Sequence, residues 1–117
     1  FKAVAGLQSS GLYLFVSEDG YRWRKLHEKP FLTTTQVPFE GMFDSQNVAF
    51  WSASEGKYLC YFRVFKDNIR RIARTTSDNL VDWSDCELME YESCLDHTST
   101  NQIYTNQTCP YFRAPHI

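Results

Sequence analysis

The side chains of this chain that could do chemistry are few, and most of them are carboxylates and guanidines. Asp44 stands between Phe43 and Ser45, just ahead of an apolar run from Asn47 to Ser52. A carboxylate there either caps the start of a strand through its own oxygen or presents charge to a ligand. Glu40, before Gly41, and Asp96, before His97, are loop acids. Each is either a solvated surface group or a proton donor that reaches a site. Arg63 follows Cys60-Tyr61-Phe62 in a largely apolar run, where a cation needs a partner. It either faces Asp44 or snorkels to solvent from the end of a strand, and Lys2 raises the same question. Arg113 and His116 could hold a carboxylate- or sulfate-bearing ligand, Arg by its planar fork and His as donor or acid. Equally, Arg113 could pair structurally with an acid and His116 could be a polar strand residue. Trp51, Tyr58 and Tyr61 offer flat faces for stacking, but their ordinary use is core packing.

Several chemistries are missing from the pattern. The three histidines (His27, His97 and His116) are scattered, so no metal site is expected, and no cofactor motif is seen. There is no Gly-rich phosphate loop and no Ser-His-Asp arrangement. The four cysteines have no zinc-ligand or redox spacing. Cys60, inside a strand pattern, is expected to be a buried thiol, while Cys86 and Cys94 could bridge in an oxidising compartment. With a formal net charge of −2, and with Arg70, Arg71 and Arg74 flanked by Asp67 and Asp78, no nucleic-acid footprint is expected. No apolar run approaches the roughly 18 residues a helical span needs, so no membrane partner is expected. Asn106-Gln107-Thr108 fits a glycosylation sequon and is read as chance. Phe1 is not an initiator Met and the chain ends inside an apolar pattern, so both ends read as cut. Localisation is left open, with secreted or periplasmic as options.

These groups must be positioned by strands. Aromatic residues make up 16% of the chain, which favours β structure. Short apolar runs at 1–5, 12–16 and 23–26 are separated by turn residues, notably Ser17-Glu18-Asp19-Gly20. Residues 28–42, with Pro30, Pro38 and Gly41, read as a long connection. Strands are then expected over 47–52, 57–65, 70–76 and 83–89, the last at an edge. The run from Lys57 to Phe65 is apolar on nearly every residue, so both of its faces should be covered. Residues 90–101 read as irregular, with 102–105 and 111–117 extended again. Pro110 and Pro115 exclude helix there.

One near-repeat organises these strands. Val16-Ser17-Glu18-Asp19-Gly20-Tyr21-Arg22-Trp23 matches Thr75-Thr76-Ser77-Asp78-Asn79-Leu80-Val81-Asp82-Trp83 with a one-residue slip. Each copy has an apolar strand, then Ser or Thr, then Asp, then Trp. In this reading Asp closes the turn, Gly or Asn accepts the unusual backbone, and Trp plugs the gap between adjacent sheets. Trp23 and Trp83 lie 60 residues apart with four strands in that period, as a propeller blade requires. The rival is an antiparallel sandwich with a coincidental hairpin signature.

Four segments carry a resemblance to a family. They are Ser17-Glu18-Asp19-Gly20…Trp23, Phe43-Asp44-Ser45-Gln46-Asn47, Arg70 to Asp78 with Asp82-Trp83, and Arg113-Ala114-Pro115-His116-Ile117. Together they resemble bacterial five-bladed β-propeller glycosidases of the glycoside hydrolase family 32 and 43 type. The resemblance implies an all-β propeller fragment: residues 1–26 end one blade, 44–90 form a complete four-stranded blade, and 102–117 begin the next. It implies an active funnel with three acids on successive blades, of which Asp44 matches the second. Arg63, Asn47, Arg113 and His116 are then expected to bind substrate. Arg113 stands where the family places its Glu general acid, and Arg cannot donate a proton at working pH. The first-blade acid is not in the chain. The expected activity is hydrolysis of glycosidic bonds in oligo- or polysaccharides by the full-length protein, the fragment alone being inactive. The alternatives are a propeller that binds carbohydrate without cleaving it, or one used as a protein-interaction platform. Expected partners are a carbohydrate substrate and the remaining blades.

Overall fold

In a computed structural model the chain is described over residues 1–44, 46–91, 102–111 and 113. Those residues form two antiparallel sheets and no helix. The first sheet has the order β1 (Lys2–Leu7), β2 (Gly11–Val16), β3 (Arg24–Lys25). The second has the order β4 (Val48–Ser52), β5 (Lys57–Lys66), β6 (Ile69–Ser77), β7 (Glu87–Leu88). All neighbouring strands are consecutive in sequence, so each sheet is a simple meander, and neither is closed.

The turns follow from local chemistry. Asp67 and Asn68 both take positive φ, 53° and 59°, which closes β5 onto β6 with two residues whose twist matches the strands. Asp and Asn tolerate that backbone better than other residues with a side chain. The result is a long, regular pairing from Tyr58 opposite Ser77 to Lys66 opposite Ile69.

The expectation that β5 is covered on both faces holds. On one side Cys60, Phe62 and Val64 are buried with Ala73, against Leu12 and Leu14 of β2. Phe31, Leu32, Val37 and Met42 of the long connection complete this core. On the other side Leu59, Tyr61 and Ile72 are buried beneath Val48, Phe50, Met89 and Ile103. Each large apolar side chain buried this way contributes about 1.5–3 kcal/mol, so β5 and β6 anchor the molecule. Cys60 is a free, buried thiol, and burial holds its pKa far above the usual thiol range. Cys86 is also free, and burial pushes it up to about 11. Cys94, with which it could bridge, lies outside the described residues.

The near-repeat is a true structural repeat, but its register differs from the expected one. Ser17 Oγ accepts from Gly20 N at 2.8 Å, and Asp19 Oδ1 accepts from Tyr21 N and Arg22 N, both at 2.8 Å. In the second copy Ser77 Oγ accepts from Leu80 N at 2.9 Å, and Asn79 Oδ1 accepts from Val81 N and Asp82 N, both at 2.8 Å. Asp19 therefore corresponds to Asn79, not Asp78, and Gly20 to Leu80, with no slip. Gly20 and Leu80 share positive φ, 81° and 64°. A leucine is unusual there, and a one-residue slip conceals it by setting Asn79 opposite Gly20.

The two tryptophans have different fates. Trp83 packs against Phe31, ring centroids 4.5 Å apart, and helps fill the space between the sheets as expected. Trp23 is 43% exposed and instead donates its indole N–H to Gly20 O at 3.0 Å. The fourth strand is shorter than expected, Glu87–Leu88 rather than 83–89. Its first half is diverted by Ser84, whose N–H donates to Thr76 O while its Oγ accepts from Thr76 N. Residues 102–105 form no strand, and meet β6 through Gln102 Oε1, which accepts from Arg70 N, and Ile103 N, which donates to Arg70 O.

Candidate functional site

The site is built where the outer line of the four-stranded sheet breaks. Glu40 and Phe65 exchange backbone hydrogen bonds, and Phe43 N donates to Arg63 O at 3.4 Å. Pairing resumes only at Val48, opposite Tyr61. Between these two stretches the pairing is interrupted, a bulge-like break of the kind that re-aims side chains at a sheet edge. Phe43 and Gln46 have positive φ, 68° and 35°, which costs of order 1 kcal/mol or more each. Burial of Phe43 against Phe62, centroids 5.4 Å apart, offsets that cost. Asn47 Nδ2 donates to Phe43 O at 3.3 Å and ties the two ends together. Gly41 is required just before the break, because a Cβ there would meet the Phe65 ring at 2.2 Å.

The interruption projects Asp44 sideways onto Arg63, and the two form an ion pair. The Arg63 side chain is 2% exposed and the Asp44 side chain 63% exposed. Arg63 shares its sheet face with Tyr61 and Phe65 by strand alternation. Its guanidinium carbon lies 4.9 Å from the Tyr104 ring centroid and 5.6 Å from that of Phe65. Arg70, opposite Phe65 on β6, lies 5.1 Å and 5.0 Å from the same two rings. Two guanidiniums and two aromatic rings therefore form one cluster beside Asp44. The segment carrying Tyr104 is held by Gln102 Oε1, which accepts from Arg70 N and Nη1, and by Ile103 N donating to Arg70 O. Asn106 Nδ2 donates to Gln46 O at 3.1 Å, joining that segment to the Asp44 loop.

Phe43 and Asp44 also form one wall of an open cleft of about 520 Å³, whose opposite wall is Gly6, Leu7, Gln8 and Ser9 of the β1–β2 turn. The candidate carboxylate thus opens onto space shared by the two sheets. Ionised, it can accept hydrogen bonds from hydroxyl groups or face a developing positive charge.

Of the expected site residues, Asp44, Asn47 and Arg63 come together. Asn47 acts on the backbone of the loop. Arg63 is too buried to lie open to a ligand and holds Asp44 instead. Arg113 is exposed, and His116, Asp96 and His97 lie outside the described residues. Glu40 is exposed and engaged through its backbone. Tyr61 is buried as core, stacked with Phe50 at 6.0 Å, while Trp51 is half exposed and meets Tyr58 edge-on at 4.8 Å. Lys2 Nζ sits 5.9 Å from the Tyr58 ring centroid. Tyr104 and Gln102 are not singled out by the sequence, and Arg70 enters there only in a short basic cluster and in the segment from Arg70 to Asp78. The only signal for Tyr104 and Gln102 was the recurrence of an extended stretch after an irregular one, which gives no hint of where it docks. Among the described residues no cluster of His, Cys, Asp and Glu could hold a metal ion.

No protein family, curated protein or solved structure matches the chain.

Proposed function

We propose that this chain supplies one complete four-stranded blade, and parts of two neighbours, to a five-bladed β-propeller protein that hydrolyses glycosidic bonds. In this reading β4 is the innermost strand, and Asp44 at its head stands in the funnel as a fixed carboxylate that steadies positive charge on the sugar ring. The observation that carries it is the pairing of a largely exposed Asp44 with a buried Arg63 at an interruption of that strand. The 60-residue recurrence of the Ser-x-Asp/Asn turn supports the radial repetition.

A second reading is favoured by one feature. Arg113 stands where the resemblance implies a proton donor, so the protein could bind glycans without cleaving them. The two readings separate when the whole protein is assayed on a glycan panel with wild type and Asp44→Asn. Hydrolysis by wild type that falls at least about 100-fold in the variant, with an unchanged melting temperature, supports the first. Binding without turnover by wild type supports the second. Hydrolysis untouched by Asp44→Asn contradicts the site assignment.

A further inference from the structure

We infer that the Arg63–Tyr104–Arg70 cluster selects an acidic sugar, one carrying a carboxylate or a sulfate, with Arg70 as the residue that binds the anionic group and Tyr104 as the platform on which the sugar ring rests. The inference rests on the carbohydrate reading above and names its substrate class. The two cations of the cluster are not equivalent. Arg63 is neutralised by Asp44. Arg70 forms no ion pair among the described residues, and its guanidinium donates to a neutral acceptor, Gln102 Oε1, at 3.1 Å. Its Nε is buried without a hydrogen-bond partner. A guanidinium has five N–H donors, and with Nε buried and Nη1 engaged by Gln102, the remaining Nη donors of Arg70 are uncommitted among the described residues. The neighbouring acids Glu40 and Asp67 are exposed and do not pair with it. Tyr104 is 56% exposed although its ring lies close to both guanidiniums. Cations close to a ring make it a firm stacking surface, and a planar fork beside it suits a planar carboxylate or a sulfate.

The test is calorimetric titration of the whole protein with three probes: trigalacturonate, the matching neutral galactose trimer, and a sulfated galactose trimer. Wild type should bind at least one acidic probe about tenfold or more tightly than the neutral one, as a charge-assisted hydrogen bond requires. The tighter of the two acidic probes identifies the anionic group. Arg70→Gln should abolish that preference while leaving neutral binding in place, Arg70→Lys should keep part of it, and Tyr104→Ala should weaken all three probes alike. Thermal melts of each variant show that the fold is kept. Equal affinity of wild type for acidic and neutral probes overturns the inference and leaves the carbohydrate reading standing. So does an acidic preference that survives in a folded Arg70→Gln protein. Failure of wild type to bind any glycan on a broad panel removes the carbohydrate reading, and the inference falls with it.

Discussion

Asp44 and Arg63 are ion-paired but unequally buried: the carboxylate is 63% exposed and the guanidinium 2%. Removing either partner therefore has a different cost. Asp44→Ala leaves a buried cation short of an acceptor. Arg63→Met leaves a carboxylate that water can solvate, and puts an apolar chain of similar length in an apolar place. Asp44→Ala should destabilise by about 2 kcal/mol, and Arg63→Met by less than half of that. Urea unfolding of the two variants and the double variant checks this. Equal losses, or a larger loss for Arg63→Met, would show that the pair is not organised by burial.

The paired turns make a second prediction. Leu80 has φ +64° and is buried in the core between the sheets, while Gly20 occupies the same place in the first copy. Leu80→Gly relieves a backbone penalty of about 1–2 kcal/mol but empties a leucine-sized volume worth about 2–5 kcal/mol. Packing wins on these magnitudes, so the variant should be less stable by about 1–3 kcal/mol. A rise in melting temperature would mean that Leu80 is held there by chain connectivity and adds little by packing.

How the sequence and the structure diverge at these places has a physical cause. Strand positions were readable because aromatic and β-branched runs between turn residues have few other uses, and the burial of both faces of β5 followed from its being apolar on nearly every residue. The pairing of Arg63 with Asp44 was open to view as one of two readings, since a cation in such a run either needs an acid or reaches solvent, and its burial decides for the acid. The register of the second turn was not, because Asn79 does with its amide oxygen what Asp19 does with a carboxylate. Leu80 then conceals a left-handed backbone that a reader looks for under Gly. Tyr104 was invisible for another reason. Its site is created by docking residues 102–106 on β6 through Gln102 and Ile103, a contact spanning 32 residues of sequence with no periodicity to announce it.

The two turns should also differ in acid. Backbone N–H groups of Arg22 and Tyr21, both donating to Asp19, hold its carboxyl below the ordinary 3.8. A depressed pKa means the stabilisation is complete above the unfolded value and is lost as the pH falls through the folded one. Asn79 has no proton to gain in that range. Amide exchange at Tyr21 and Arg22 should therefore quicken on acidification from pH 5 to about pH 2, relative to Val81 and Asp82, once intrinsic pH effects are divided out. Asp19→Asn should remove the difference. Equal behaviour of the two turns in wild type would mean that the Asp19 bonds add nothing to the local stability of the turn.

In the proposed function the Asp44 loop opens on the funnel of a propeller and meets a sugar there. A crystal structure of the whole protein with a bound oligosaccharide tests it most directly. The expected result is sheets repeated about an axis, β4 lining the central channel, and a sugar hydroxyl or ring within hydrogen-bond reach of Asp44. Two sheets packed as a closed sandwich, or a sugar bound away from Asp44 on the outer surface, would contradict it.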